Sequence, residues 1–452
     1  MSNNSENLLF KSESVWKKRS REEIEKFSSE YSGFLTNSKT ERLTVKNLVS
    51  VAKKLGFSDD IFSDRFYVIN KDKTVAFFKI TDNLEDGFNI ITAHIDSPRI
   101  DLKPRFLFED DGILLLKTHY YGGIKKYQWF NIPLCLKGVV LKTDGSLVEV
   151  SIGDAPGEPV LVISDLLPHL DKEDKKVSEK FLGEDLSPIA GTIPLENEEK
   201  EAVKLYVLKL LNEKYGVTEK DLIGADLSLV PAFETRGAGL DSSLIAGYGH
   251  DDRVCAYTAF RAIIDSKSQK RSSIVLLFDR EEIGSDGNTG AKERFWIRVL
   301  KKIVEHNNPN LDVEDLIEKS AVLSGDVAAG LDPKYKTVME PLNAPKLGYG
   351  TVLVKYTGVR GKSGTSEASA EFFGKIRNLF IENDVSWQVG ELGKVDQGGG
   401  GTVAKFFAEL GSWVLDVGPA VLGMHSPYEL VSKADVLETY LAYKTFLENF
   451  SG

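Results

Sequence analysis

Acidic and imidazole side chains follow apolar runs at several separate points of this sequence. His94, Glu281, Glu282 and Asp326 each lie at or just past the end of such a run. If they were crowded together, these groups would repel one another and lose solvation unless a cation joined them. Zinc binds imidazole nitrogen and carboxylate oxygen, and its catalytic sites keep one position open for water. The residue types therefore predict a metal site, with a pair of zinc ions as the cation.

Two polar segments add further candidate ligands. Asp251 and Asp252 stand in a loop that opens a predicted helix, and His425 follows a predicted strand and a short loop. Each candidate also has a purely structural interpretation, because an Asp before a helix commonly caps it and paired glutamates commonly form a solvated turn. A His at a strand end is commonly a hydrogen-bonded structural residue. The joint placement of all these residues in apolar frames favours a site.

The elements that must position these residues alternate between helices and strands. The alternation predicts an α/β fold with a mostly parallel sheet flanked by helices on both faces. Ligands collect at the carboxyl ends of such strands, so the side chains that follow them would meet at one edge. The predicted helices cover residues 20–31, 44–55, 253–264, 292–304, 366–383 and 402–410, with Thr44 as the cap of the second. The predicted strands cover residues 64–70, 74–80, 88–93, 273–278, 320–324, 385–389 and 412–417.

A segment of closely spaced β-rich runs interrupts this alternation of helices and strands. Short β-rich runs at 113–121, 131–141, 146–152 and 159–163 are separated by turn signals, and they are followed by a charged stretch at 171–180 and a predicted helix at 199–215. Close strand spacing of this kind predicts a small antiparallel sheet or barrel. The prediction is a discontinuous catalytic domain, residues 1–100 and 239–452, with an inserted β-rich domain at 101–238.

Composition excludes several classes of partner. The formal net charge is −11 and the isoelectric point is near 5.3, which disfavours nucleic acid and anionic membranes as partners. No run reaches the roughly 18 apolar residues that a bilayer-spanning helix needs. The two cysteines, Cys135 and Cys255, lie in apolar runs far apart in sequence. This cysteine usage predicts a reducing, cytoplasmic location.

Five separated motifs carry a family resemblance. In order, they are TAHIDSPR, GHDDRVCAY, FDREEIGSDG, LSGD and GMHSPYE. They resemble the aspartyl aminopeptidase, or aminopeptidase I, family of dizinc metallopeptidases, and the resemblance extends from about Thr92 to the end of the chain. It implies a metallo-aminopeptidase that hydrolyses the N-terminal residue of peptides with a water activated by two zinc ions. Cobalt and manganese are possible substitutes for the zinc.

The resemblance also implies roles for individual residues. Asp251 would bridge two metals, with His94 and Asp326 on the first and Glu282 and His425 on the second. Three further residues would serve catalysis without binding metal. They are Glu281 as general base, Asp96 as the hydrogen-bond partner of His94, and His169, which would reach into the active site of a neighbouring subunit. From the sequence alone, His169 would be interpreted as a surface-loop histidine.

The family's inserted domain mediates dimerisation, and the resemblance implies a homo-oligomer, a tetrahedral dodecamer built from dimers. Typical members prefer N-terminal Asp or Glu, which requires a cationic pocket. Arg360 and Lys362 lie roughly where the family has its basic residue, although the surrounding sequence departs from the family pattern and a basic surface turn is the alternative. The glycines around Gly400 would line the substrate pocket with backbone amides, or form a plain turn.

Two other functions remain open at this point. A related dizinc amidase or deacylase would act on small N-acyl substrates. A non-catalytic scaffold would retain the fold without hydrolysis, although the intact set of candidate ligands argues against such decay.

Overall fold

The computed structural model describes residues 8–172 and 174–452. Among these residues, no helix combines the length and apolar character that crossing a bilayer would require. The strands, in chain order, are β1 Arg65–Asn70, β2 Thr74–Lys79, β3 Phe88–His94, β4 Arg99–Asp110, β5 Ile113–Tyr121, β6 Leu134–Leu141, β7 Leu147–Ile152, β8 Ile189–Gly191, β9 Asp226–Pro231, β10 Arg236–Ala238, β11 Leu244–Gly247, β12 Ser272–Phe278, β13 Ala321–Ser324, β14 Ala328–Ala329, β15 Thr351–Val354, β16 Trp387–Val389, β17 Trp413–Gly418, β18 Ala420–Leu422 and β19 Glu429–Ser432.

The helices complete the element order. They are α1 Arg21–Asn37, α2 Glu41–Lys54, α3 Val177–Lys180, α4 Ala202–Tyr215, α5 Glu219–Leu222, α6 His250–Asp265, α7 Phe295–Asn307, α8 Val313–Glu318, α9 Ala370–Glu382, α10 Ala404–Ala408 and α11 Lys433–Asn449. Contacts within the chain divide it into two compact units. The first runs to Asp96 and resumes over Thr235–Met424 and Tyr428–Gly452, and the second comprises Ser97–Glu234 and His425–Pro427.

An eight-stranded sheet organises the first unit, in the order β1-β2-β12-β3-β13-β17-β15-β16. Its central strands β12, β3, β13 and β17 run parallel to one another. Every residue of β3 and β12 is buried, because helices cover both faces of the sheet and leave no face for polar residues. The predicted α/β fold with a mostly parallel, helix-flanked sheet is confirmed.

The two faces of this sheet have separate hydrophobic cores. Helices α1, α6, α9 and α11 pack over one face, with side chains such as Phe260, Ile376 and Tyr443. Helices α7, α8 and α10 pack over the other face, with side chains such as Trp296 and Phe407. Alternate residues of each strand serve alternate cores, which holds the strand ends in a fixed register.

The start of α2 corrects one prediction. Thr44 does not cap this helix, which begins one turn earlier, at Glu41. Thr40 is the cap, because its hydroxyl accepts a hydrogen bond from the backbone N–H of Leu43. The hydroxyl of Thr44 instead donates to the main-chain carbonyl of Thr40 from inside the helix.

A second, five-stranded sheet belongs to the same unit, in the order β10-β11-β19-β18-β14. Its strands are two to four residues long, and none was predicted. Runs this short carry too little alternation to stand out from loops. The sheet places Glu429 on β19 opposite Gly247 on β11, just before α6 begins.

The second unit is built on a six-stranded sheet of order β7-β6-β9-β4-β5-β8, in which every pair is antiparallel.

The predicted strand at 159–163 is wrong. Leu161 and Val162 form only isolated bridges, to Leu134 and Ile189. The predicted charged loop contains the short helix α3, and residue 173 of that prediction lies outside the described residues.

Candidate metal centre

The parallel strands bring their carboxyl ends to one edge of the large sheet. His94 is the last residue of β3 and is the register partner of Phe278, the last residue of β12. Ser324 ends β13 opposite Thr92 on β3. Glu281 and Glu282 follow β12, and Asp326 follows β13, so these side chains start from the same edge, as the sequence predicted.

Three predicted ligands of the first unit form a compact group. His94, Asp251 and Asp326 each offer one ligand atom, and the three atoms lie within 4.8 Å of one another. Nε2 of His94 is 3.1 Å from Oδ1 of Asp251. His94 is 1% exposed and Asp251 is 3% exposed, so water does not solvate their charges. A ligand set of one imidazole and two carboxylates, closed on the protein side, fits zinc.

Asp96 connects this group to the two glutamates. One of its carboxylate oxygens, Oδ1, lies 3.3 Å from Nδ1 of His94, which leaves Nε2 directed at Asp251. The same carboxylate accepts the backbone N–H of Glu281 and of Glu282, each at 3.2 Å. A fully buried carboxylate therefore sets the orientation of the imidazole and the position of the Glu281–Glu282 turn.

The paired glutamates diverge, as adjacent side chains do. An oxygen of Glu282 lies within 4.8 Å of an oxygen of Asp251, which places Glu282 beside the bridging candidate. Oε2 of Glu281 lies 4.0 Å from Nε2 of His94. Both residues stand in a short 3-10 turn, Glu281–Ile283, that begins after Arg280 in a left-handed conformation with φ of 69°. The turn thus presents both carboxylates to the same edge of the sheet.

The ionisable side chains at this edge of the sheet favour a bound cation. Burial, together with Asp252 and Asp251, raises the pKa of Asp326 well above its usual range. Burial also raises the pKa of Asp252 well above that range, and Asp251 adds to the effect. Burial alone would lower the pKa of His94, but its hydrogen bonds with Asp251 and Asp96 outweigh burial and raise it. Acids buried together in this way bind divalent cations because the cation replaces the shared protons.

Sequence reasoning missed two residues that support Asp251. Its backbone N–H donates to Oε2 of Glu429, at 3.1 Å. The preceding residue, His250, has its Nδ1 2.7 Å from the hydroxyl of Tyr31 on α1. Glu429 stands in the segment GMHSPYE, so the motif pointed to it. No local pattern pointed to Tyr31, which is 219 residues from His250 in sequence.

His425 belongs by its contacts to the second unit. Its Nδ1 lies 2.8 Å from the main-chain carbonyl of Gly123, so Nδ1 carries the hydrogen and donates it. This hydrogen bond selects the tautomer in which Nε2 carries a lone pair and no hydrogen, the arrangement that metal-binding histidines commonly show. Its role as a ligand stays a prediction.

His169 lies on an exposed loop of the second unit. Its neighbours Leu166, Leu167 and Leu170 are also exposed apolar residues. No contact of His169 within the described part of the chain assigns it a task, and its action in a neighbouring subunit stays a prediction.

Two loops hold the predicted specificity residues. The ammonium of Lys362 lies 3.0 Å from Oε1 of Glu367 and 4.0 Å from the ring centroid of Tyr356. Arg360 has no carboxylate within 4 Å among the described residues. Its loop adjoins the glycine-rich loop, because the N–H of Gly358 donates to the carbonyl of Gly400 at 2.5 Å. The two loops line a cavity of about 310 Å³ that includes Arg360 and Lys362.

Comparisons with known proteins give a family match over most of the chain. Residues 24–447 match the family model described as aminopeptidase I zinc metalloprotease (M18). A protein of Thermotoga maritima described as a probable M18 family aminopeptidase 1 is 54% identical over 443 residues, covering 96% of this chain and 98% of that protein.

Solved structures share the fold. The crystal structure of an M18 family aminopeptidase from Thermotoga maritima superposes with a TM-score of 0.95 at 53% identity, covering 98% of this chain and 100% of that chain. A structure described as the S. cerevisiae mApe1 dodecamer superposes with a TM-score of 0.75 at 21% identity, covering 94% of this chain and 97% of that chain. At that identity the second likeness concerns the fold alone.

Proposed function

The chain belongs to the aminopeptidase I zinc metalloprotease (M18) family, and we propose that it removes N-terminal residues from peptides with two zinc ions held at the carboxyl edge of its large sheet. Membership makes it an aminopeptidase and a zinc metalloprotease. The number of metals, their ligands and the preferred substrate are the proposal. The observation that carries it is the compact group of His94, Asp251 and Asp326, whose ligand atoms lie within 4.8 Å of one another.

The proposed ligands form two sets that share Asp251. His94 and Asp326 complete the first set. Glu282 and His425 complete the second, as the motif order implies. The position of Glu282 beside Asp251 supports the second set, and so does the Nδ1–H of His425, which leaves Nε2 as its ligand atom.

Zinc bound there would polarise the scissile carbonyl and lower the pKa of water to about 7. In the proposal Glu281 keeps its carboxylate free of metal, accepts a proton from the attacking water and passes it to the leaving amine. Asp96 serves this step by holding the backbone N–H of Glu281 and the ring of His94 with one carboxylate. The buried walls of the site exclude bulk water from the proton transfer.

Replacing Glu281 by Gln tests the base. The variant should lose about 10²–10⁴-fold in kcat while the chain retains two zinc ions, because the amide keeps the size of the side chain but not its basicity. Activity on aminoacyl reporters and zinc content by mass spectrometry are the measurements. Glu382→Gln, on the exposed surface of α9, is the matched control. Full turnover by Glu281→Gln would remove the assignment.

Blocked substrates separate an aminopeptidase from a dizinc amidase. An aminopeptidase needs the free amine, so N-acetylated peptides should not be cleaved. Cleavage of the acetylated peptide at a rate similar to the free one would favour the amidase. Zinc content far below two per chain, with no hydrolysis of any aminoacyl reporter, would favour a non-catalytic scaffold.

We assign the preference for N-terminal Asp or Glu to Arg360. Lys362 is paired with Glu367, which also pairs with Lys355, whereas Arg360 lines the same cavity without an ion pair among the described residues. Arg360→Gln should lower kcat/KM for aspartyl reporters by about tenfold or more relative to leucyl reporters, since a charged hydrogen bond contributes about 1.5–3 kcal/mol. Lys362→Gln should have a smaller effect. Equal losses on both reporters would contradict the assignment.

The second unit is proposed to join subunits. It exposes apolar side chains such as Phe108, Leu147 and Leu170, and large exposed apolar surfaces commonly mark protein interfaces. The dodecameric relative supports a dodecamer here, with His169 of one subunit serving its neighbour.

Mixing two inactive variants tests this role of His169. Chains carrying His169→Gln and chains carrying Glu281→Gln should be inactive alone and partly active when co-expressed, because mixed assemblies contain complete sites. Light scattering gives the assembly size. A monomeric protein, or no rescue in mixed assemblies, would contradict the proposal.

A further inference from the structure

Arg271 is a buried guanidinium with no ion-pair partner among the described residues. It is 4% exposed, and it directly precedes β12 at the amino-terminal edge of the large sheet. Its Nη2 donates to the main-chain carbonyl of Lys319 at 2.7 Å, and its enclosed Nε has no acceptor. Burial lowers the pKa of Arg271, and Asp86 opposes this effect from a distance. An arginine stays protonated in proteins, so this charge needs an anion.

Arg253, in the same unit, is a buried arginine whose guanidinium nitrogens each have a hydrogen-bond acceptor within the chain. It is fully buried, and no carboxylate of the described residues lies within 4 Å of it. Its three guanidinium nitrogens, however, donate to the carbonyls of Ile95, Tyr248 and Lys39 at 3.2–3.3 Å. Arg271 has one such acceptor. The chain therefore gives each guanidinium nitrogen of Arg253 an acceptor and leaves Nε of Arg271 without one among the described residues.

Arg271 lines a cavity of about 590 Å³. It occupies the amino-terminal edge of β3, β12, β13 and β17, opposite the end that carries His94. Arg271 is its buried floor. The aromatic side chains of Phe372, Trp413 and Phe450 form an apolar wall.

Charges of both signs stand on the exposed rim of this cavity. Lys319 and Lys375 carry positive charge, and Glu85, Asp86 and Glu371 carry negative charge. Among the described residues, none of these five side chains has an oppositely charged group within 4 Å. A pocket with a cationic floor, acidic groups at its mouth and an aromatic wall is complementary to a zwitterion with an apolar side chain.

We propose that this cavity binds a free α-amino acid, with its carboxylate on Arg271, its ammonium at Glu85 and Glu371, and its side chain against Trp413 and Phe372. Any aminopeptidase reaction releases a free α-amino acid, so the inference rests on the proposed aminopeptidase activity and not on its preference for acidic residues. The site is separated from the metal centre by the length of the sheet strands.

L-Leucine and two analogues probe the site in the full-length, zinc-loaded protein. 3-Methylbutylamine lacks the carboxylate of leucine, and 4-methylpentanoate lacks its amine. A crystal soaked with leucine should show the ligand on Arg271, and calorimetry should show each analogue binding at least tenfold more weakly. Leucine ordered only at the metal centre, or analogues that bind as well as leucine, would overturn the proposal.

Variants separate this site from the active site. Arg271→Gln should weaken leucine binding at the cavity at least tenfold, whereas Arg294→Gln, an exposed arginine elsewhere, should not change it. If Arg271→Gln does not fold, Glu371→Gln on the exposed rim decides, with an expected few-fold loss because it removes a carboxylate that binds the ammonium. Unchanged binding in the folded variants would overturn the proposal. Leucine binding in a protein that cleaves no peptide would instead refute the proposed function alone.

Discussion

The two edges of the eight-stranded sheet differ in the charge that the fold leaves unbalanced. At the carboxyl edge, His94, Asp251 and Asp326 stand within 4.8 Å of one another, and burial raises the pKa of Asp326. At the amino edge, Arg271 is buried without an anion among the described residues. Parallel strands all start at one edge of the sheet and all end at the other. One edge of the same sheet can therefore require a cation while the other requires an anion.

The difference teaches how a buried charge signals a ligand. Burying an ion costs several kcal/mol unless a partner compensates it. Arg253 meets this cost with three backbone carbonyls, and Asp96 meets it with two backbone amides. Where the described residues supply too few such partners, as at Asp326 and Arg271, an external ion or ligand can supply the rest. The predictions below change one buried group at a time.

Arg253→Met should have the largest effect on stability. It would leave the carbonyls of Ile95, Tyr248 and Lys39 without their donors, and each buried unsatisfied group costs about 1–3 kcal/mol. The free energy of unfolding in urea should therefore fall by roughly 3–6 kcal/mol. Arg298→Met, at an exposed ion pair, is the control and should stay within about 0.5 kcal/mol. Equal stability of the two variants would contradict this explanation of Arg253.

Asp416→Asn should have an intermediate, pH-dependent effect. Burial raises the pKa of Asp416 to about 6, although the hydroxyls of Ser324 and Thr402 lower it. The folded protein therefore holds this proton more tightly than the unfolded chain, and wild-type stability falls as pH rises from about 4 to about 6. The variant should lack this contribution, which is at most about 3 kcal/mol for two pKa units.

Urea unfolding at several pH values measures how steeply the free energy of unfolding of Asp416→Asn changes with pH. Asp59→Asn, at an exposed position, should keep the wild-type slope. If Asp416→Asn also keeps it, the carboxyl does not hold a proton in the folded state.

Arg271→Met should have the smallest effect, and on the stabilising side. The change removes one hydrogen bond, to Lys319, worth about 1 kcal/mol, but it also removes an uncompensated buried charge. The urea midpoint of the ligand-free protein should stay the same or rise by up to about 1 kcal/mol in free energy. A loss above about 2 kcal/mol would show that Arg271 is compensated within the chain and would break the contrast between the two edges.

Much of the fold followed from the sequence because long buried strands have a clear signature. The runs that became β3 and β12 are apolar throughout, and only a sheet covered on both faces buries such strands. The short strands β10, β11, β14, β18 and β19 were missed because two to four residues show no periodicity. The run at 159–163 was assigned as a strand from its composition, but it makes only isolated bridges.

The sequence by itself determined which side chains meet at the carboxyl edge. His94, Glu281, Glu282 and Asp326 follow strands that must run parallel, so chain order and strand direction already bring them together. The tertiary structure alone decided how the carboxylate of Asp96 reaches the amides of the glutamate turn and how Glu429 supports Asp251. The tertiary structure alone showed that each guanidinium nitrogen of Arg253 has a hydrogen-bond acceptor and that Nε of Arg271 has none among the described residues. These contacts join residues far apart in sequence, and whether a buried charge finds a partner depends on distances of a few ångströms that no local pattern encodes.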